Sequence, residues 1–201
     1  MNIIYLLFTF CLMMCFSSCA LKSPLGPPFP KKQARKYLHS NGQSLEFINR
    51  LLNRKKLTPN EYNYLIKSKN RSVRYLLASN PYIPISFLYK LAKDKDTYIR
   101  QGVAENPIID YKIINLLKKD NISVQSALVE NPTLPNQILF DLYEENNNLS
   151  LEHFSLNPNC PESIKQDILN SSDSTAKEYL KDVERWKKEG KYDSRGIWKT
   201  P

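Results

Sequence analysis

An Asn-Pro pair returns four times along this 201-residue chain, at Asn80-Pro81, Asn106-Pro107, Asn131-Pro132 and Asn157-Pro158, in steps of 26, 25 and 26 residues. A unit of that length is one supersecondary motif. It cannot bury its own apolar face, so successive units must stack, and function then lies on an extended surface.

Aligning the units on the Asn shows what each contains. Three residues earlier stand Leu77, Val103, Leu128 and Phe154, and seven earlier stand Val73, Ile99, Val124 and Ser150. A separation of four puts both positions on one helical face. Three residues after the first proline come Pro84, Asp110, Pro135 and Pro161. A second apolar pattern follows through Phe87, Ile113, Ile138 and Ile164, then Leu91, Leu117, Leu142 and Ile168. Each unit therefore reads as two short helices, and the expected fold is an all-α solenoid of helix pairs with a period of about 25 residues. Asn tolerates the left-handed conformation that ends a helix, and the next Pro cannot continue one. The second Pro suits the first turn of the next helix, which has no need of its amide hydrogen.

The array is expected over residues 57–170. A helical cap over 31–56 precedes it, with a short helix before the turn at Ser40-Asn41-Gly42 and a longer one after it. Over 171–201, Ser171-Ser172-Asp173-Ser174 offers N-caps for a closing helix carrying Ala176, Tyr179, Leu180, Val183 and Trp186. In the fourth unit Ser150 and His153 stand where apolar or small residues stood, which fits a terminal repeat.

The recurring form Val-Arg-x-x-Leu-Ala-x-Asn-Pro, then Pro-x-x-x-Leu-x-x-Leu-Ala-x-Asp, is met here as Val73-Arg74 to Pro81 and Pro84 to Asp94, and its first part recurs at Ile99-Arg100 to Pro107. It resembles the leucine-rich repeat variant. The resemblance implies a right-handed, HEAT-related superhelix in which one helix of a pair can be 3₁₀. The iron–sulfur segment of some members is not carried over. Cys11, Cys15 and Cys19 lie in or beside an apolar leader, and Cys160 is the one cysteine beyond it.

That leader is the uncharged run Ile3–Phe16, shorter than the roughly 20 residues a bilayer-spanning helix needs. Ser17-Ser18-Cys19 follows. The arrangement resembles the lipobox of bacterial lipoprotein signal peptides, with Phe16 where Leu is usual and no Lys or Arg before the apolar run. It implies a signal over 1–18 and a lipidated (palmitate-bearing) Cys19. An uncleaved N-terminal anchor is the alternative, and both tether the same domain to a membrane. Ala20 stands where an acidic residue is the usual inner-membrane sorting signal, so the outer membrane of the cell envelope is the expected location. The stretch over 19–30 is rich in proline and reads as an extended tether, on the order of 30 Å long.

Charge is uneven. Residues 31–74 hold twelve Lys or Arg and two Glu, whereas 75–201 hold sixteen basic and eighteen acidic residues. Lys31, Lys32, Arg35, Lys36, Arg54, Lys55 and Lys56 are candidates for contact with an anionic surface: lipid headgroups, envelope polymer or an acidic protein. A solvated face is the equal alternative. Tyr37, Tyr62, Tyr64 and Tyr75 among these charges are candidate stacking groups for nucleic acid, but export argues against that partner, and tyrosines at helical spacing more often belong to a core. Arg74, Arg100 and Gln125 occupy one repeat position and form a candidate partner-binding ladder. The competing reading, and the better one, pairs each Arg with a loop acid such as Asp94, Asp96 or Asp120.

For catalysis there is little. His39 and His153 are the only histidines and stand far apart, and five glycines form no phosphate-cradling loop. The chain reads as a non-enzyme without cofactor or metal: an envelope lipoprotein whose helical scaffold binds a protein partner. An immunity or inhibitor protein against an envelope toxin, or an accessory subunit of an envelope enzyme, are the alternatives.

Overall fold

The computed structural model describes residues 31–53, 55–145, 148–197 and 199. Cys19 with the leader and tether, and Arg54, lie outside the described residues, as do the side chains of Lys31 and Lys32. The described chain is all-helical: α1 (Lys31–Ser40), α2 (Leu45–Leu52), α3 (Pro59–Leu65), α4 (Arg71–Ala78), α5 (Ile85–Leu91), α6 (Thr97–Ala104), α7 (Tyr111–Leu117), α8 (Ile122–Val129), α9 (Asn136–Glu145), α10 (Leu151–Ser155), α11 (Glu162–Asn170) and α12 (Ser174–Lys188). No strand occurs among the described residues. Of the first two helices the earlier is the longer, because Asn53 ends α2 after eight residues.

Most of these helices have seven or eight residues, too few to persist alone in water. Two things hold them. Their first turns are capped by side chains: Asn70, Asp96, Asp110, Asn121 and Asp173 each accept a backbone N–H, and Thr58 with Glu61 forms a reciprocal capping box. Their apolar faces are then buried against neighbours. α4 lies beside α6, α6 beside α8, α8 beside α10 and α10 beside α12, while α1, α2 and α3 cover the free side of α4. Val73, Leu77, Ile99, Val103, Val124 and Leu128 are fully buried in this row, and Leu91, Leu117, Leu142 and Ile168 anchor the second helices to it. Each such side chain contributes about 1.5–3 kcal/mol of transfer free energy.

The prolines sit one residue earlier than the first helical turn. Pro84 and Pro161 are N-caps with extended ψ of 139° and 145°, and their carbonyls accept the first helical hydrogen bonds. A proline φ fits an extended cap as well as a first turn.

The asparagines do more than stop helices. The C-cap residues before them, Ser79, Glu105, Glu130 and Leu156, have ordinary negative φ. The Asn side chains themselves are buried. Asn106 donates from Nδ2 to the Ala78 carbonyl at 2.6 Å and the Asn80 carbonyl at 2.9 Å, while its Oδ1 accepts from the Ile108 amide at 3.0 Å. Asn131 repeats this toward Ala104 and Asn106, and Asn157 toward Val129 and Asn131. Asn80 begins the series by donating to the Lys55 carbonyl at 3.1 Å. Each asparagine thus satisfies carbonyls left over at the end of the previous unit and closes its own turn. Only Asn supplies two donors and an acceptor at that length.

At the far end α10 has five residues, begun by the exposed N-cap Ser150, and His153 pairs with Glu130 through Nδ1 at 2.7 Å. α12 occupies the place beside α10, with Ala176, Leu180 and Val183 turned inward. The chain then returns over the last two Asn-Pro turns. Asn159 Nδ2 donates to the carbonyls of Pro132 and Arg195, Lys187 Nζ donates to that of Pro158, and Gly196, at φ +79°, lies so close that a Cβ would approach Pro158 to 2.9 Å. Cys160 is buried nearby, and burial pushes its thiol up to about 12, which favours the neutral thiol over the thiolate.

One close approach inside the row gives a direct prediction. A Cβ on Gly102 would stand 2.9 Å from Cδ2 of Tyr75 and 3.2 Å from Cβ of Ala78. Tyr75 is itself fixed, buried and stacked on Tyr98 with ring centroids 4.3 Å apart. Gly102→Ala therefore loses about 1–2 kcal/mol, because overpacking outweighs the gain in helix propensity of up to about 1 kcal/mol. Urea unfolding followed by circular dichroism reads the difference.

Candidate functional site

The Asn-Pro turns occupy one end of the α4, α6 and α8 row, and the loops Lys93–Asp96 and Lys118–Asn121 occupy the other. The arginine ladder belongs to this second edge. Arg74 grips Asp94 with Nε at 2.8 Å and Nη2 at 3.3 Å, and donates from Nη1 to the Ser68 carbonyl at 2.8 Å. Arg100 repeats the arrangement one unit on, with Nε and Nη2 on Asp120 at 2.6 and 2.9 Å and Nη1 on the Asp94 carbonyl at 2.7 Å. Gln125 keeps the backbone half of the pattern, donating to the Lys118 carbonyl at 2.7 Å. Each arginine thus ties the loop before its own helix to the loop before the next. All three guanidinium nitrogens of both arginines are engaged within the chain, and their side chains are largely buried. These contacts match the loop-brace reading of the ladder.

The hydrogen bonds from Arg100 hold the Asp120 carboxyl below the usual carboxylate range, against the opposing effect of partial burial. The Tyr89 hydroxyl does the same for Asp110, and Lys165 for Glu184. Groups with folded pKa values below their unfolded ones, about 4, stabilise the fold fully above that value and progressively less as pH falls through the folded values. The thermal midpoint is therefore expected to stay level from pH 7 to about 5 and to fall below about pH 4. Asp120→Asn makes that fall shallower, as calorimetry at constant ionic strength will read.

Against this braced edge lies a shallow, open depression of about 700 Å³ between the ends of α5 and α7. Arg100 and Asp120 form part of its lining. Lys93, Lys95 and Lys119 stand around it with exposed side chains, and Leu116 contributes an apolar surface that is 40% exposed. No hydroxyl, thiol or imidazole is among its lining residues. Three cations beside one aliphatic group suit an acidic, partly apolar segment. The lysines were not singled out from the sequence, because their signal is no more than three Lys in two loops that share a repeat position only in part.

Of the basic candidates near the tether, Arg35 is exposed and donates to Asn49 Oδ1 at 3.1 Å, and Lys36, Lys55 and Lys56 are exposed. Lys55 and Lys56 lie in the loop that the Asn80 side chain ties to the first Asn-Pro turn, whereas Arg35 and Lys36 lie on α1. The tyrosines divide. Tyr62 and Tyr75 are core residues, Tyr62 donating its hydroxyl to the Tyr82 carbonyl at 2.7 Å. Tyr37 is half-buried, and Tyr64 is exposed. His39 is exposed, far in sequence from His153. Among the described residues no group of three His, Cys, Asp or Glu could hold a metal ion, and no helix is long and apolar enough to cross a membrane.

Comparison with protein-family models, with curated proteins and with solved structures found no match to this chain.

Proposed function

We propose that this chain is a lipid-anchored protein of the bacterial envelope whose helix pairs form a right-handed solenoid of the leucine-rich repeat variant kind, a non-catalytic scaffold that holds a protein partner. The observation that carries the reading is the repeated cross-unit stitching by Asn80, Asn106, Asn131 and Asn157. A chain that uses its buried polar groups to fix one unit on the next is built to present a rigid extended surface. The lining of the depression supports binding over catalysis: its two carboxylates, Asp94 and Asp120, are held by Arg74 and Arg100, and the lysines and Leu116 are left to face a partner. The uncharged run before Cys19 supports the anchor.

Two measurements test this. Radiolabelled palmitate enters the protein and is lost in Cys19→Ser; failure of the unaltered chain to take it up sinks the lipid anchor. Crosslinked partners are recovered from envelope extract and drop at least tenfold when Lys93, Lys95 and Lys119 are changed together to Glu, exposed positions whose exchange leaves the helices intact. Equal recovery by that variant removes the depression as the contact surface.

A further inference from the structure

The asparagine ladder also fixes the relation of the turns it joins. The carbonyl of Lys55 accepts from Asn80, that of Asn80 from Asn106, and that of Asn106 from Asn131, so the Lys55–Lys56 loop and the first Asn-Pro turns stand in one row. Along this row the exposed side chains change in character. Lys55 and Lys56 come first. The next two turns carry Tyr82 and Ile85, 57% and 37% exposed, then Ile108 and Tyr111, 37% and 62% exposed.

The repeat itself does not require these four residues. Two positions after the Asn the units have Tyr82, Ile108, Thr133 and Asn159, and five after it Ile85, Tyr111, Asn136 and Glu162. The third and fourth turns form the same hydrogen bonds with polar residues there. Two adjacent units thus hold large apolar side chains in water for no structural return, which marks an interaction surface. The acids close to it are held in place by neutral donors and keep their charge: Glu105 accepts the Tyr75 hydroxyl, and Asp110 accepts that of Tyr89 as well as the amides of Lys112 and Ile113, so the attraction to anionic lipid falls to the lysines at the start of the row.

We infer that this turn edge rests on an anionic lipid surface, Lys55 and Lys56 meeting headgroups while Tyr82, Ile85, Ile108 and Tyr111 enter the interface. The turns stand in one row with these side chains exposed, whereas the depression suited to an inserted segment lies at the opposite edge. Tyrosine favours the headgroup level, aliphatic side chains the acyl boundary, and each nearby lysine adds attraction to anionic lipid. The proposal rests on the membrane-anchor reading and adds an orientation to it. With the turn edge down, the braced loops and their lysines point away from the bilayer toward a partner.

The test uses the full chain on nanodiscs carrying a paramagnetic headgroup lipid, with isoleucine δ1-methyl signals assigned by Ile→Val exchange. On phosphatidylglycerol-containing discs the Ile85 and Ile108 signals broaden, and that of Ile122, 42% exposed on the opposite edge, does not. On pure phosphatidylcholine discs the difference shrinks. Lys55→Gln and Lys56→Gln each lower the docked-to-undocked ratio about fivefold, and about thirtyfold together. Equal broadening of all three signals, or none while the chain stays on the disc, overturns the orientation and leaves the anchor standing. A chain that leaves the disc overturns both. Shielding of Ile85 and Ile108 without lipid, growing with protein concentration, assigns the edge to a second copy of the chain and overturns the lipid.

Discussion

Asn106→Ala is expected to remove about 4 kcal/mol of stability, a large share of the 5–15 kcal/mol a domain of this size possesses. The side chain is buried and makes three hydrogen bonds, two to carbonyls of the preceding unit and one from the Ile108 amide. Each net bond contributes about 1 kcal/mol, and each buried partner left unpaired costs about 1–3 kcal/mol. The isosteric change Asn106→Asp is expected to be at least as damaging. It turns an NH₂ that faces two carbonyl oxygens into a third oxygen. Asn80→Ala should cost less, because Asn80 reaches back to the single carbonyl of Lys55 at 3.1 Å. Equilibrium urea unfolding of the three variants orders them, and a loss below 1 kcal/mol for Asn106→Ala would show that the ladder is incidental to the fold.

Arg100→Glu is expected to lose about 3–5 kcal/mol and to act through stability, not through binding. Its guanidinium bridges Asp120 and the Asp94 carbonyl with little access to solvent. Breaking such a pair strands a carboxylate, and reversing the charge adds repulsion from Asp94 and Asp120. A pull-down that used this variant alone would read an unfolded protein as a lost partner. Arg100→Met combined with Asp120→Asn is expected to recover most of the loss, because no uncompensated charge remains and the aliphatic stem is replaced. Thermal melts at pH 7 measure both. Retention of the wild-type midpoint by Arg100→Glu would contradict the brace and return Arg100 to the open surface.

The helical pattern was legible in the sequence because apolar spacing of three and four is enforced by burial. Val73 and Leu77, Ile99 and Val103, Val124 and Leu128 were all identified by spacing and all lie in the core. The Asn-Pro beat was legible as punctuation but not as chemistry. Whether an asparagine ends a helix with its backbone or stitches units with its side chain depends on what stands beside it, 25 to 28 residues away. The arginine position was visible too, and so were the acids it meets. What spacing could not give was the geometry that engages every guanidinium nitrogen. The exposed Tyr82, Ile85, Ile108 and Tyr111 escaped for a different reason. An apolar residue next to a turn looks the same whether it packs inward, as Ile83 does, or outward, as Tyr82 does. Their signal was a failure to recur, which becomes informative once the fold shows that the polar turns are equally well formed.

Four asparagine side chains join successive units. Side-chain NH₂ exchange with solvent, resolved by ¹⁵N NMR, tests it most directly. The amides of Asn106, Asn131 and Asn157 are expected to exchange as slowly as the backbone amides of α6, with Asn80 somewhat faster and the exposed Asn60, Asn63 and Asn115 at solvent rates. Exchange of Asn106, Asn131 and Asn157 at the rate of the exposed three would contradict the account.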